Sequence, residues 1–450
     1  MSQSEMSRAK RHLETTRKMK DMLPRFFMRQ MERRFSGNEP LAWCMVGVPP
    51  ELLKAFDLLF EWPENFGTMC ASRLVAPKFI EVAEGDGYSQ ELCSYVTNTM
   101  GYCKLTKDKG EPPEDCPLPG GMGTPSMMLG SGFICEPRWK WFQSIATRFF
   151  DVPVYSSDPL APPWDIDPRD PRIENHYLTL LREDLAGQIE FLEKHTGKKL
   201  DLDLLRETLE LSHKALAYWR DTLALRKAKP CPMGSTDYFH SIIPQMYLVG
   251  DQEAVDFYKE MYEEVKDRVD RGIGIVEDEK YRLLWFGLPP WFNMGIFNYL
   301  ESFGAVVAYE STYNVGDHFE VDLSDPLEAI VRRTWQRALK MHDYGAETMP
   351  ELCNPAVFGG FSGSSLLDEL VEEYSLTGAL MHLTRSCRAV SFGEVHTKNR
   401  LSAMGVPALI FESDMADPRL WSDAQIKTRL HAFLESMDKA AGGGNLSEGK

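Results

Sequence analysis

Two stretches of this 450-residue chain alternate short apolar runs with segments of helical spacing, and that alternation constrains the fold more than any other feature. In the first stretch, residues 41–48 (LAWCMVGV) are strand-like, Pro49 and Pro50 stand where a helix begins, and residues 51–60 carry a helical pattern. Further on, the apolar runs 131–135 and 152–156 flank the amphipathic stretch 137–149, completing a βαβ unit. From residue 281 the pattern returns as RLLWFG, AVVAYES, GALMHL and PALIFES, each separated by segments able to form helices. The fold class this predicts is α/β, with two doubly wound parallel-sheet domains of the Rossmann or flavodoxin kind.

The length agrees, since a single core stops growing well before 450 residues. Residues 1–36 read as an N-terminal helical arm, with Leu13, Met19, Leu23, Phe26 and Phe27 at roughly helical spacing. The first α/β domain then covers 37–172 and ends in the Pro and Asp cluster of residues 158–172. A helical domain covers 173–275, with Gly197 in HTGKK suited to a helix end, and the second α/β domain covers 276–440. The tail 441–450 is expected to be disordered.

A net charge of −17 opposes phosphate backbones, so nucleic acid is not an expected partner. The longest apolar stretches fall far short of the roughly 20 residues a membrane helix requires. The amino terminus lacks the apolar core of a secretory signal, so a cytoplasmic location is expected. No GxxxxGK[ST], HExxH or GxSxG motif occurs. The glycine-rich GGMGTP at Gly120 and GGFSGSS at Gly359 follow no convincing strand and read as turns.

Nine cysteines in such a chain are buried apolar thiols, nucleophiles or metal ligands rather than a disulfide framework. No CxxC pair occurs, so a cluster with local ligand spacing is not expected, and any cluster must be assembled from distant loops. Cys93 in ELCSY, Cys135 in GFICEPRWKWFQ and Cys387 in HLTRSCR stand near predicted carboxyl ends of strands or in neighbouring loops, and open α/β sheets place ligands at those ends. For Cys44, Cys70, Cys103, Cys116, Cys231 and Cys353 the reading is a small buried apolar residue.

These segments, in order, resemble the subunits of 2-hydroxyacyl-CoA dehydratases and ATP-dependent benzoyl-CoA reductases. The ordered match runs through VGVPPELLKAF, EWPEN, LCSY, ICEPRWKW with DVPVYSSD, RLLWFGLPPW and AYESTYN. It closes on MHLTRSCRAVSFGEVHTKNRL and GVPALIFESDMADPRLWSDAQIKTRLHAFLE, the most specific block. The resemblance implies that Cys93, Cys135 and Cys387 ligate one 4Fe-4S cluster between two α/β domains, with one iron left without a cysteine ligand from this set. It further implies a homologous cluster-bearing subunit as heterodimer partner, an acyl-CoA substrate, and a partner component that hydrolyses ATP and delivers low-potential single electrons, with ferredoxin as upstream donor.

In the reductases the aromatic ring of benzoyl-CoA is reduced to a cyclic dienoyl-CoA; in the dehydratases one recycled electron forms a ketyl radical and loss of water gives an enoyl-CoA. The dehydratase subunit that binds substrate tends to be serine-rich where this chain has AWCMVGVPPEL, whereas EWPENFGTMC and CEPRWKWFQ look more like the larger cluster subunit of a benzoyl-CoA reductase. The reductase is therefore the expected activity, the dehydratase the alternative, and an electron-relay or scaffold subunit the third reading. By the same resemblance Glu64 is a candidate proton donor, against the reading of a surface salt bridge. His382 is a candidate proton shuttle or sulfur hydrogen-bond donor, against a core histidine. Arg385 and Arg388 are candidates to tune the cluster or meet CoA phosphates, against an ordinary charge-paired helix start.

Overall fold

The structure is a computed structural model, and it describes residues 9–36, 39–132, 135–157, 162–163, 166–313, 321–348 and 366–442. Its first sheet holds β1 (Leu41–Cys44), β2 (Leu59–Glu61), β3 (Met127–Ser131) and β4 (Val154–Ser157), in the order β2-β1-β3-β4 with every pairing parallel. The second holds β5 (Tyr281–Phe286), β6 (Ala305–Glu310), β7 (Gly378–Thr384) and β8 (Ala408–Ser413), in the order β6-β5-β7-β8, again all parallel. The two halves thus repeat one topology, and each has a switch point between its first and third strands, where sheets of this kind bind ligands.

The inner strands of the sheets are covered on both faces and read as short apolar runs, and LAWC and MMLGS are buried along their whole length. Arg282 is tolerated inside β5 because its guanidinium donates to the carbonyls of Tyr374 at 2.7 Å, Ala228 at 3.0 Å and Arg226 at 2.9 Å. All four strands expected in the second half form where the sequence places them.

The first half departs from expectation in two places. The helical pattern read over 51–60 gives only the Pro50–Ala55 helix, because Asp57 turns the chain at φ 45° and β2 follows at once. The strand read over 131–135 lies earlier, as β3 (Met127–Ser131): Met127, Met128 and Leu129 are the fully buried run, and Cys135 falls in the loop before the Pro137–Ile145 helix. The amphipathic stretch after it ends in a wide turn, Ala146–Phe150, that Asp151 closes at φ 53°.

Between the sheets run the Pro171–Thr196, Leu202–Leu225 and Gln252–Asp270 helices. Asp170 and Asp201 cap the first two, and Gly197 at φ 71° ends the first, since only glycine takes that conformation freely. The N-terminal arm is two helices, Glu14–Arg17 and Met19–Ser36. It docks through buried Asp237, whose carboxylate accepts from the backbone of His12 at 3.0 Å and Leu13 at 3.2 Å. At the other end the Asp423–Gly442 helix runs two residues into the segment read as tail, which starts with good helix-forming alanine; residues 443–450 lie outside the described residues, as do residues 1–8, Cys353 and the GGFSGSS motif. No described helix is long and apolar enough to cross a membrane.

One buried ion pair ties three parts together. Glu51, in the Pro50–Ala55 helix, accepts from Arg333 Nη1 at 2.7 Å and Nη2 at 2.8 Å and from Ser212 Oγ at 2.7 Å. Burial alone would raise its carboxyl, but the Arg333 charge and these hydrogen bonds bring it down to about 2. A carboxyl depressed from its ordinary 4.5 stabilises the fold fully above that value and loses the contribution as pH falls toward 2. Glu51→Gln should therefore cost about 3–5 kcal/mol at neutral pH by stranding a buried guanidinium. Its urea midpoint should approach that of wild type as the medium is acidified through this window; a gap independent of pH would show that the pair is not the source.

Candidate functional site

Cys93, Cys135 and Cys387 each stand at the start of a helix. Cys93 immediately precedes Ser94–Lys109, Cys387 precedes the short Arg388–Ser391 helix, and Cys135 lies two residues before Pro137–Ile145. Free backbone N–H groups of these first turns face the sulfurs: Val96 and Tyr95 at Cys93, Val390 and Ala389 at Cys387, Arg138 at Cys135. The long Ser94–Lys109 helix is seated by Gly101, where a Cβ would come within 1.8 Å of the Phe79 carbonyl oxygen of the neighbouring helix.

The three thiols belong to one electrostatic group although they come from both halves. Burial pushes all three up, Cys387 to about 11, Cys135 to about 12 and Cys93 well above the usual thiol range, and Cys93 is raised further by both of the others. At neutral pH such thiols hold their protons unless a cation takes the place of those protons, as a bound metal does. Among the described residues, no three His, Cys, Asp or Glu side chains are gathered to hold a single metal ion. A four-iron cluster makes a different demand, because its thiolates bind separate irons and so stand further apart than the ligands of one ion. Three convergent sulfurs with helix N-termini behind them suit that group in donor type and in charge.

A serine hydroxyl joins the two halves beside the cysteines. Ser386 Oγ accepts from the Ser94 backbone N–H at 3.2 Å, lies 3.3 Å from Ser94 Oγ, and donates to Asp414 in the loop after β8. Asp414 is held in turn by the backbone N–H groups of Ala416 at 2.9 Å and Asp417 at 3.0 Å. All three side chains are buried.

Glu64, the second residue of the Pro63–Ser72 helix, reaches this group. It accepts from the Val46 N–H at 2.9 Å, and both of its oxygens accept from Arg138 Nη2, at 2.9 and 2.7 Å. Its charge is felt at Cys135, Cys387 and Tyr313. Nearby, the Tyr95 hydroxyl accepts from Trp291 Nε1 at 2.7 Å and lies 3.3 Å from the Tyr313 hydroxyl. Tyr313 is held at φ 61°, a conformation costly for so bulky a side chain.

The other expected residues sit differently. His382 is fully buried in β7, stacks on Phe411 and donates from Nδ1 to the Leu288 carbonyl at 2.5 Å; burial lowers its pKa to about 4, so the ring is neutral. Its Nε2 is buried without a partner among the described residues, and the ring feels the charge of Asp414. Arg385 is half-exposed and pairs with Glu91 at 2.9 Å, and Arg388 is exposed. Cys44, Cys70, Cys103 and Cys231 are buried in the cores as read, with Cys116 half-buried. Arg138, Ser94, Ser386 and Asp414 escaped the sequence reading, although two of them are immediate neighbours of the singled-out cysteines in LCSY and RSCR. A cavity of 440 Å³ lined by Asp278, Glu301, His431 and Asp438 opens instead at the amino ends of β5 and β6, and holds none of these groups.

Compared with known proteins, residues 45–437 match the family described as 2-hydroxyglutaryl-CoA dehydratase, D-component. The alpha subunit of (R)-2-hydroxyisocaproyl-CoA dehydratase from Clostridioides difficile is 26% identical over 427 residues, covering 93% of this chain and 95% of its own. A benzoyl-CoA reductase subunit of Thauera aromatica is 26% identical over 446 residues, 96% of each chain. The alpha subunit of (R)-2-hydroxyglutaryl-CoA dehydratase from Acidaminococcus fermentans is 21% identical, covering 93% of this chain and 96% of its own.

The serine bridge yields a direct expectation. Ser386→Ala leaves a buried Asp414 oxygen without its donor and should cost about 1–3 kcal/mol, read as a lower urea midpoint. A midpoint equal to that of wild type would mean that the bridge carries no weight between the halves.

Proposed function

Since the chain belongs to the 2-hydroxyglutaryl-CoA dehydratase D-component family, we propose that it is a cluster-bearing subunit of a complex acting on an acyl-CoA thioester, with reduction of an aromatic acyl-CoA such as benzoyl-CoA as its reaction. The observation that carries the reading is the convergence of Cys93, Cys135 and Cys387 from both halves at helix N-termini, beside an acidic group. The three would hold one 4Fe-4S cluster, which supplies single electrons at low potential when bound. A second, homologous subunit, ferredoxin and an ATP-hydrolysing electron donor complete the assembly in this reading.

This chain's own groups then have separate tasks. The helix N-termini offset the negative charge of thiolates. Tyr95, Tyr313 and Trp291 line the same region with aromatic surface and hydroxyl groups. Glu64, a carboxylate paired with Arg138 at rest, takes up and passes on a proton at its carboxyl oxygens, anchored by Val46 and Arg138.

Dehydration of a 2-hydroxyacyl-CoA is the second reading, and relatives with that name are as similar to this chain as the reductase subunit is. The reductase is preferred because the loop after β1 supplies Met45, Val46, Gly47 and Val48 where a dehydratase subunit tends to offer serine hydroxyls, and only a backbone N–H of that loop reaches Glu64.

Benzoyl-CoA and a 2-hydroxyacyl-CoA, supplied separately to the reduced complex, distinguish the two: ring reduction consumes electrons in proportion to product, while dehydration recycles them. Stoichiometric consumption with benzoyl-CoA is expected. Glu64→Gln should lower turnover by about 100-fold or more, the scale of a lost proton-transfer group. Unchanged turnover would remove Glu64 from proton handling.

A further inference from the structure

Arg138 has more hydrogen-bonding capacity than its surroundings use. It is 3% exposed, and Nη2 alone serves both oxygens of Glu64. Nε and Nη1 are buried without a partner among the described residues. Arginine does not shed its proton, so two idle donors in a dry place are a standing cost unless an acceptor arrives. Its location points to where that acceptor would sit. Arg138 is the second residue of the Pro137–Ile145 helix; its backbone N–H faces the Cys135 sulfur, and its charge is the strongest attraction felt there. The unpaired N–H groups of that first turn add a positive field to the same place.

The charges narrow the ligand class. Arg138 and Glu64 neutralise one another, so the idle donors do not call for a full anion such as a phosphate. They suit an oxygen that is neutral on arrival and gains negative charge later, the condition under which fixed donors favour a reacting state over a resting one. We propose that Arg138 is an oxygen-binding residue: one of its idle donors, Nη1 or Nε, donates to the carbonyl oxygen of a bound acyl thioester while Nη2 stays on Glu64. This rests on the acyl-CoA reading above. It adds that this chain itself contacts the reacting carbonyl, so it does more than relay electrons, and that Glu64 and the carbonyl are held by one guanidinium in a fixed relation.

The test compares thioesters with thioethers that lack the carbonyl. The chain is purified anaerobically with its partner subunit, and binding of benzoyl-CoA and isocaproyl-CoA is measured by calorimetry against the matching S-benzyl and S-isohexyl thioethers. Wild type should bind at least one thioester about 10-fold or more tightly than its thioether, the scale of a charged hydrogen bond. Arg138→Gln should erase that preference while leaving thioether affinity and iron content as in wild type, even though loss of the Glu64 pair lowers its melting temperature. Arg138→Lys, which keeps the charge but loses the fork, should retain part of it. A preference that survives in Arg138→Gln, or is absent in wild type, overturns the assignment, as does iron loss in both variants, which would give the donors to the cysteine site instead. Failure of wild type to bind any of the four ligands overturns the acyl-CoA reading together with this one.

Discussion

A buried thiol keeps its proton unless something positive shares its site, and the arrangement around Cys93, Cys135 and Cys387 follows from that constraint. Three such groups in one region raise one another, so the fold has to supply compensation. It does so with backbone: each sulfur sits at a helix start, where N–H groups lack intrahelical partners. It adds one buried cation, Arg138, and then balances it with Glu64. The serine bridge from Ser94 through Ser386 to Asp414 keeps the helix starts of the two halves in register.

Repetition of one sheet order makes this meeting geometrically natural. In each half the loop after the third strand leaves from the switch point, and these are the loops that carry Cys135 after β3 and Cys387 after β7. Cys93 comes from the first half and meets Ser386 of the second through Ser94. Glu51, paired with Arg333 and Ser212, fixes the same two halves to the middle helices from another side. Neither half alone assembles the group.

The parallel strands were legible because strands covered on both faces are written as short continuous apolar runs, and RLLWFG, AVVAYES, GALMHL and PALIFES are such runs. β2 was not, because its three residues follow a helix with a single turning residue, Asp57, between them, so FDLLFEW reads as more of the same helix. β3 was displaced toward Cys135 because GFIC is as apolar as MMLGS, and only pairing with β1 and β4 selects the second. At the site, cysteines announce themselves by type. Arg138 does not, since a surface arginine and a buried one with idle donors look alike in CEPRWKW until the Glu64 contact is seen. The packing of the His382 ring among Phe411, Trp285 and Leu288 is likewise invisible in MHLTRSC, since it depends on strands and a loop distant in sequence.

Whether Cys93, Cys135 and Cys387 form one ligand set is read from iron and acid-labile sulfide per chain. The chain is purified anaerobically with its partner, with Cys93→Ala, Cys135→Ala and Cys387→Ala introduced in this chain alone and core Cys231→Ala as the control. Each of the three should lose about one four-iron cluster and the control none, as removal of a thiolate ligand requires. Iron and sulfide unchanged in all three variants would contradict it, leaving these cysteines as structural thiols.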